Sequence, residues 1–173
     1  MNKTLVRKYK TVVDLSIKRR GEIIEEFTYV EMVMDIIISR FFCDTTDKTN
    51  EFTSVFLSIV DFSKKKEVIY YILECNKEFL KKNSSIKSDM DKINSTRNIF
   101  AHKYLAIHDE NIKSQKLGYI KFKNGKATEV EITNDYFEDQ LNLIEKVTDI
   151  LTELSIIVKS RKVIKTQLKD AIA

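Results

Sequence analysis

The chain has 173 residues, 43% of them apolar and 32% charged, which excludes a disordered protein and fits one domain with a sizeable core. It has no proline, no tryptophan and only three glycines, a composition that argues against a many-turned β architecture and for long helices. The net charge of +4, from 30 Lys and Arg against 26 Asp and Glu, permits an anionic partner without demanding one.

Helical spacing runs from Thr4 to Phe42, where Ile23, Phe27, Val30, Met34, Ile37 and Phe41 follow each other by fours and threes on one face. Gly21 is a point at which this helix can kink or divide. Lys3, Arg7, Lys8, Lys10, Lys18, Arg19 and Arg20 crowd its start, and Lys159, Arg161, Lys162, Lys165 and Lys169 crowd the other end of the chain. Such clusters are either solvated helix faces or a footprint for a phosphate backbone. The polar run 43–50 predicts a loop, followed by short helices near 51–60 and 64–76, with Asp61 or Ser63 as the intervening cap.

The next helix is expected to start at Ser84 or Ser85. Its stripe is Ile86, Met90, Ile93, Arg97, Phe100 and Tyr104, so an arginine stands where the rhythm requires an apolar residue. Burying a guanidinium alone is expensive, so an arginine in such a place faces an ion pair, an anion or a subunit interface. Alternating segments at 117–122 and 127–132 flank Lys123-Asn124-Gly125-Lys126, the strongest short-range signal for a hairpin. Thr133 or Asn134 then caps a long last helix with the stripe Phe137, Leu141, Ile144, Val147, Leu151 and Leu154. The expected fold is mainly α, an up-and-down helical bundle forming a single domain over 1–173. A β-hairpin is inserted at about 117–132, and a basic helical tail runs from about 159 to 173.

Several chemistries are disfavoured by spacing. Cys43 and Cys75 are far apart and His108 has no partner at ligand spacing, so neither a zinc site nor any other metal or cofactor is expected. No phosphate-binding G-x4-GK[ST] loop, dinucleotide fingerprint or nucleophile elbow is present. No apolar run approaches the ~20 residues that span a bilayer. The start, MNKTLVRKYK, lacks a signal-peptide core, so a cytoplasmic protein without a membrane partner is expected.

Arg97-Asn98-Ile99-Phe100-Ala101-His102-Lys103-Tyr104 carries the chemistry. A permanent guanidinium beside an imidazole that titrates near neutrality is a minimal kit for cleaving a phosphodiester. In RNA the ribose 2′-hydroxyl can attack the adjacent phosphate. His102 suits proton transfer, Arg97 suits the developing charge, and Asn98 can orient His102 or bond the phosphate. At 100° per residue Arg97 and His102 are about 140° apart, whereas Arg97 and Tyr104 share a face and Asn98 neighbours His102. Convergence on one phosphate then needs the helix to end near His102, or a twofold axis supplying the pair from a second subunit, the more economical solution.

The spacing Arg-x4-His alone arises by chance in about 7% of chains of this composition, so specificity rests on the flanking Asn98, Ala101 and Tyr104. Arg97-Asn98-x-x-Ala101-His102 resembles the signature of the HEPN superfamily, the higher eukaryote and prokaryote nucleotide-binding domains. The extension to Tyr104 is similar to the form in HEPN toxins paired with minimal nucleotidyltransferases. The resemblance implies a helical bundle that dimerises through the motif helices and is often a metal-independent ribonuclease of bacterial toxin–antitoxin, phage-defence or CRISPR-associated systems. It implies catalysis by Arg97 and His102, support from Asn98 and Tyr104, and RNA, a second copy, and an antitoxin or nucleotidyltransferase as partners. In the paired toxins the tyrosine receives silencing adenylyl groups, which maps onto Tyr104. Two other readings stay open: a catalytically inactive HEPN-like module that binds nucleotide, RNA or protein, and a structural helical adaptor. In the last, Arg97 pairs with Glu26, Glu31 or Asp35, His102 answers the helix macrodipole and Tyr104 is core.

Overall fold

A computed structural model describes residues 3–103 and 116–172, and it is mainly helical. The elements are α1 (Lys3–Phe42), α2 (Thr46–Glu51), α3 (Phe62–Glu74), α4 (Lys77–Lys82), α5 (Ile86–His102), β1 (Leu117–Lys123), β2 (Lys126–Ile132) and α6 (Asn134–Ile172). The chain forms two compact units, one of Met1–Phe27 with Lys92–Ile144, the other of Thr28–Asp91 with Glu145–Ala173.

In the first unit β1 and β2 pair antiparallel from Leu117↔Ile132 to Lys123↔Lys126. The turn between them has positive φ at both Asn124 (52°) and Gly125 (72°), the backbone that a two-residue hairpin demands and that these residues tolerate. Leu117, Tyr119 and Ile132 are buried from the hairpin, together with Val12, Ile23, Phe27, Ile93, Phe100, Phe137 and Ile144 from the helices. Thr133 caps α6, its Oγ1 accepting from the Tyr136 amide at 3.0 Å. The rings of Phe100 and Phe137 lie 6.2 Å apart between α5 and α6, and Thr96 Oγ1 donates to Gln140 Oε1 across the same pair.

Arg19 ties α1 to the junction of β2 and α6. It is buried, its Nη1 donates to Ile132 O at 3.2 Å, its Nη2 donates to Asn134 Oδ1, and the guanidinium stands 4.9 Å from the Phe137 ring. Burial pushes its pKa below the ordinary arginine range, while Glu138 and Glu22 pull it back.

The second unit buries Val30, Met34 and Ile37 of α1, Ile69, Ile72 and Leu73 of α3, Ile86 and Met90 of α5, and Val147, Leu151 and Leu154 of α6. Asp61 caps α3 by accepting from the Lys64 amide at 3.0 Å. Two charges are buried with partners: Lys65 pairs with Asp35 at 2.8 Å, and Asp89 with Lys146 at 2.8 Å.

Two local expectations are corrected. The polar run 43–50 is not all loop, because Thr45 caps α2 with its hydroxyl on the Lys48 amide (3.4 Å). The stretch expected as a helix at 51–60 is instead a π-helical turn, Phe52–Phe56, followed by a 3-10 turn, Leu57–Ile59. Only Leu57 of these two turns is buried, so no continuous apolar stripe enforces a regular helix. α4, with Phe79 as its single buried residue, is too short for periodicity to reveal. α1 runs undivided through Gly21, and α6 continues through the basic tail.

The glycines generate a paired prediction. A Cβ on Gly21 meets nothing within 4 Å on a helical backbone, so Gly21→Ala should stabilise the protein by about 0.5–1 kcal/mol. Gly125→Ala, at a φ of +72°, should destabilise it by about 1 kcal/mol. Urea midpoints at constant m-value read both, and equal signs for the two variants would contradict the assignment.

Candidate functional site

The stripe of α5 is buried at Ile86, Met90, Ile93 and Phe100, while Arg97 between them is only partly covered. The arginine occupies the seam without sinking into it, because its long stem lies against apolar surface and its head reaches water. Its guanidinium carbon stands 5.9 Å from the centroid of the Phe27 ring on α1, within cation–π range. No ion pair among the described residues involves Arg97, and Asp35, one of its expected partners, is held by Lys65.

α5 ends at His102, the condition under which the two side chains can converge without a second subunit. Arg97 Nη1 lies 3.1 Å from His102 Nε2, and the same nitrogen donates to Asn98 Oδ1 at 3.3 Å. The long arginine arm spans the angle that separates the two positions on the helix. An arginine has only donors, so Nε2 must accept, which assigns the ring proton to Nδ1. Asn98, one helical turn before His102 on α5, also accepts from Arg97. Asn98 and His102 are both exposed. Tyr104, the fourth expected site residue, and His108 lie outside the described residues.

The end of α5 is held from α1. Arg20 Nη1 donates to Phe100 O at 2.6 Å and Arg20 Nη2 donates to Lys103 O at 2.8 Å. The last carbonyls of a helix lack intrahelical donors and carry its negative dipole end, so a guanidinium fits there. No local signal predicts this contact, since the partners are 80 residues or more apart. Arg19 carried a usable signal: Val12, Ser16, Arg19, Ile23 and Phe27 are all buried at helical spacing, which puts it on the apolar seam. Of the expected basic cluster, Arg19 and Arg20 are therefore committed to the protein's own backbone, while Arg7, Lys10 and Lys18 stay exposed. Arg161, Lys162, Lys165 and Lys169 have side chains outside the described residues.

Among the described residues Arg97 is half-buried and His102 is exposed. A cavity of about 270 Å³ in the same unit is lined by Lys18, Arg19, Glu22, Phe137 and their neighbours and includes neither Arg97 nor His102. Among the described residues no group of three His, Cys, Asp or Glu gathers as a metal site, and no helix is long and apolar enough to cross a membrane. Cys43 and Cys75 carry no disulfide. Fold and site together define a mainly helical protein with a hairpin before its last helix and an Arg–His pair at a helix end. No family model, curated protein or solved structure matches the chain.

The contact predicts a tautomer. In the neutral ring, side-chain 15N spectra of His102 should show Nδ1 protonated and Nε2 bare, and Arg97→Ala should abolish that preference. A wild-type ring protonated on Nε2 would contradict the 3.1 Å contact.

Proposed function

We propose that this chain is a HEPN-like, metal-independent endoribonuclease that cleaves RNA by 2′-hydroxyl attack and serves a bacterial toxin–antitoxin or phage-defence system. The observation that carries the reading is the 3.1 Å approach of Arg97 Nη1 to His102 Nε2, with no ion pair to Arg97 among the described residues. A guanidinium without a carboxylate keeps its donors for an anion.

The chemistry follows from the donor inventory. Nε2 carries the basic lone pair, held by one Arg97 N–H until a phosphate draws the guanidinium to its oxygens. His102 Nε2 then takes the proton of the 2′-hydroxyl as its oxygen attacks phosphorus. Arg97 stabilises the charge that builds on the non-bridging oxygens, and Asn98 and the Phe27 ring hold its plane. The P–O5′ bond breaks, the departing oxygen takes a proton from water, His102 returns its own proton to solvent, and the products are a 2′,3′-cyclic phosphate and a 5′-hydroxyl. No step requires a metal or cofactor. A second copy brought up by a twofold axis through the motif helix would place two such pairs along one strand.

The decisive experiment is incubation of RNA with purified protein in EDTA, comparing wild type with Arg97→Ala and His102→Ala. Cleavage with cyclic-phosphate ends is expected in the wild type and should fall by about 100-fold or more in each variant. Intact RNA beside folded wild-type protein would sink the ribonuclease reading. Binding that survives without cleavage would then favour a catalytically inactive RNA-binding module.

A further inference from the structure

The two carbonyls that Arg20 holds, Phe100 O and Lys103 O, bracket His102 in the chain. A guanidinium presents its N–H groups in a fixed planar fork, so two simultaneous bonds fix the orientation of what they grip as well as its distance. The segment gripped is the last turn of α5, the part of a helix that otherwise frays. Both donors of the Arg20 fork come from α1, the helix that also supplies Phe27 beneath Arg97. Arg97 sits a full turn before the helix end and is oriented by Phe27 and Asn98. His102 is exposed and has Arg97 as its one side-chain partner among the described residues, so its placement depends on the backbone that carries it.

We propose that Arg20 is a positioning residue: by clamping the carbonyls on either side of His102 it holds the Nε2 of that ring at Arg97, without itself touching RNA. The proposal rests on the ribonuclease reading for its kinetic consequence, but its structural consequence stands on the clamp alone. It also removes Arg20 from the basic residues offered to an RNA backbone, since both ends of its fork are spent on carbonyls.

The test uses the full chain with Arg20→Lys, Arg20→Gln and Arg20→Ala. Lysine keeps the charge but offers a point donor that reaches one carbonyl, and glutamine keeps one neutral donor, so both preserve more of the helix end than alanine does. Two measurements are read on each folded variant: kcat and KM for RNA cleavage, and the His102 side-chain 15N signals. The expected result is kcat lowered by about 100-fold in Arg20→Ala with KM within about threefold, and partial rescue in Arg20→Lys. The Nδ1–H preference of His102 should be lost in step with kcat. A purely structural role would lower the urea midpoint while leaving kcat per folded molecule and the His102 signals unchanged, and that overturns the proposal. A raised KM with unchanged kcat and a shallower salt dependence would make Arg20 an RNA contact, which also overturns it. Should the wild type prove unable to cleave RNA, the His102 signals still decide: a tautomer preference that vanishes in Arg20→Ala and is partly kept in Arg20→Lys upholds the clamp while the ribonuclease reading falls, and a preference unchanged in Arg20→Ala overturns the clamp.

Discussion

Two neighbouring arginines on α1 govern the first unit. Arg19 and Arg20 are adjacent in sequence, so their side chains leave the helix about 100° apart and reach different elements. Arg19 is buried against the end of β2 and the start of α6; Arg20 grips the end of α5. Each satisfies backbone oxygens where a regular element ends and its own ladder no longer does so. Bonds to a charged donor contribute about 1.5–3 kcal/mol each, comparable to a buried aliphatic side chain. α1 therefore sets the positions of the helix end, the hairpin and the last helix by directional contacts, where apolar packing alone would tolerate sliding.

Arg97 is, after Arg19, a second arginine on a seam, with a different outcome. Arg19 sinks into the unit because carbonyl, amide and ring partners surround it. Arg97 meets only the Phe27 ring, Asn98 and His102, and its head stays at the surface. The contrast is one of satisfied versus unspent donors: a guanidinium has five N–H groups, and the contacts of Arg97 leave several for a ligand. Open placement also means that its attraction for an anion is screened by salt, as for any exposed charge.

How much was legible in the sequence can be traced residue by residue. The hairpin was readable because Asn124-Gly125 specifies its own backbone, and α3 because Asp61 caps it and apolar residues recur along it. The π-helical and 3-10 turns at 52–59 and the helix at 77–82 were not readable, since short segments hold one apolar anchor each and tertiary contacts choose their geometry. For the site, the residue types and the seam position of Arg97 were in the sequence. The ideal-helix angle argued against direct convergence with His102, yet the reach of an arginine at the end of α5 closes it.

What the sequence determined by itself is therefore what periodicity and local backbone chemistry control: a mainly helical chain, a hairpin before the last helix, and an arginine and a histidine near one helix end. Local rules suffice there because the interacting groups lie within a few residues. Only the tertiary structure decided that Arg20 holds the helix end, that Asp35 belongs to Lys65, and that Phe27 stands beneath Arg97. Those pairings join residues 30 to 83 positions apart, and no local pattern of residue types records which distant element a long side chain will meet.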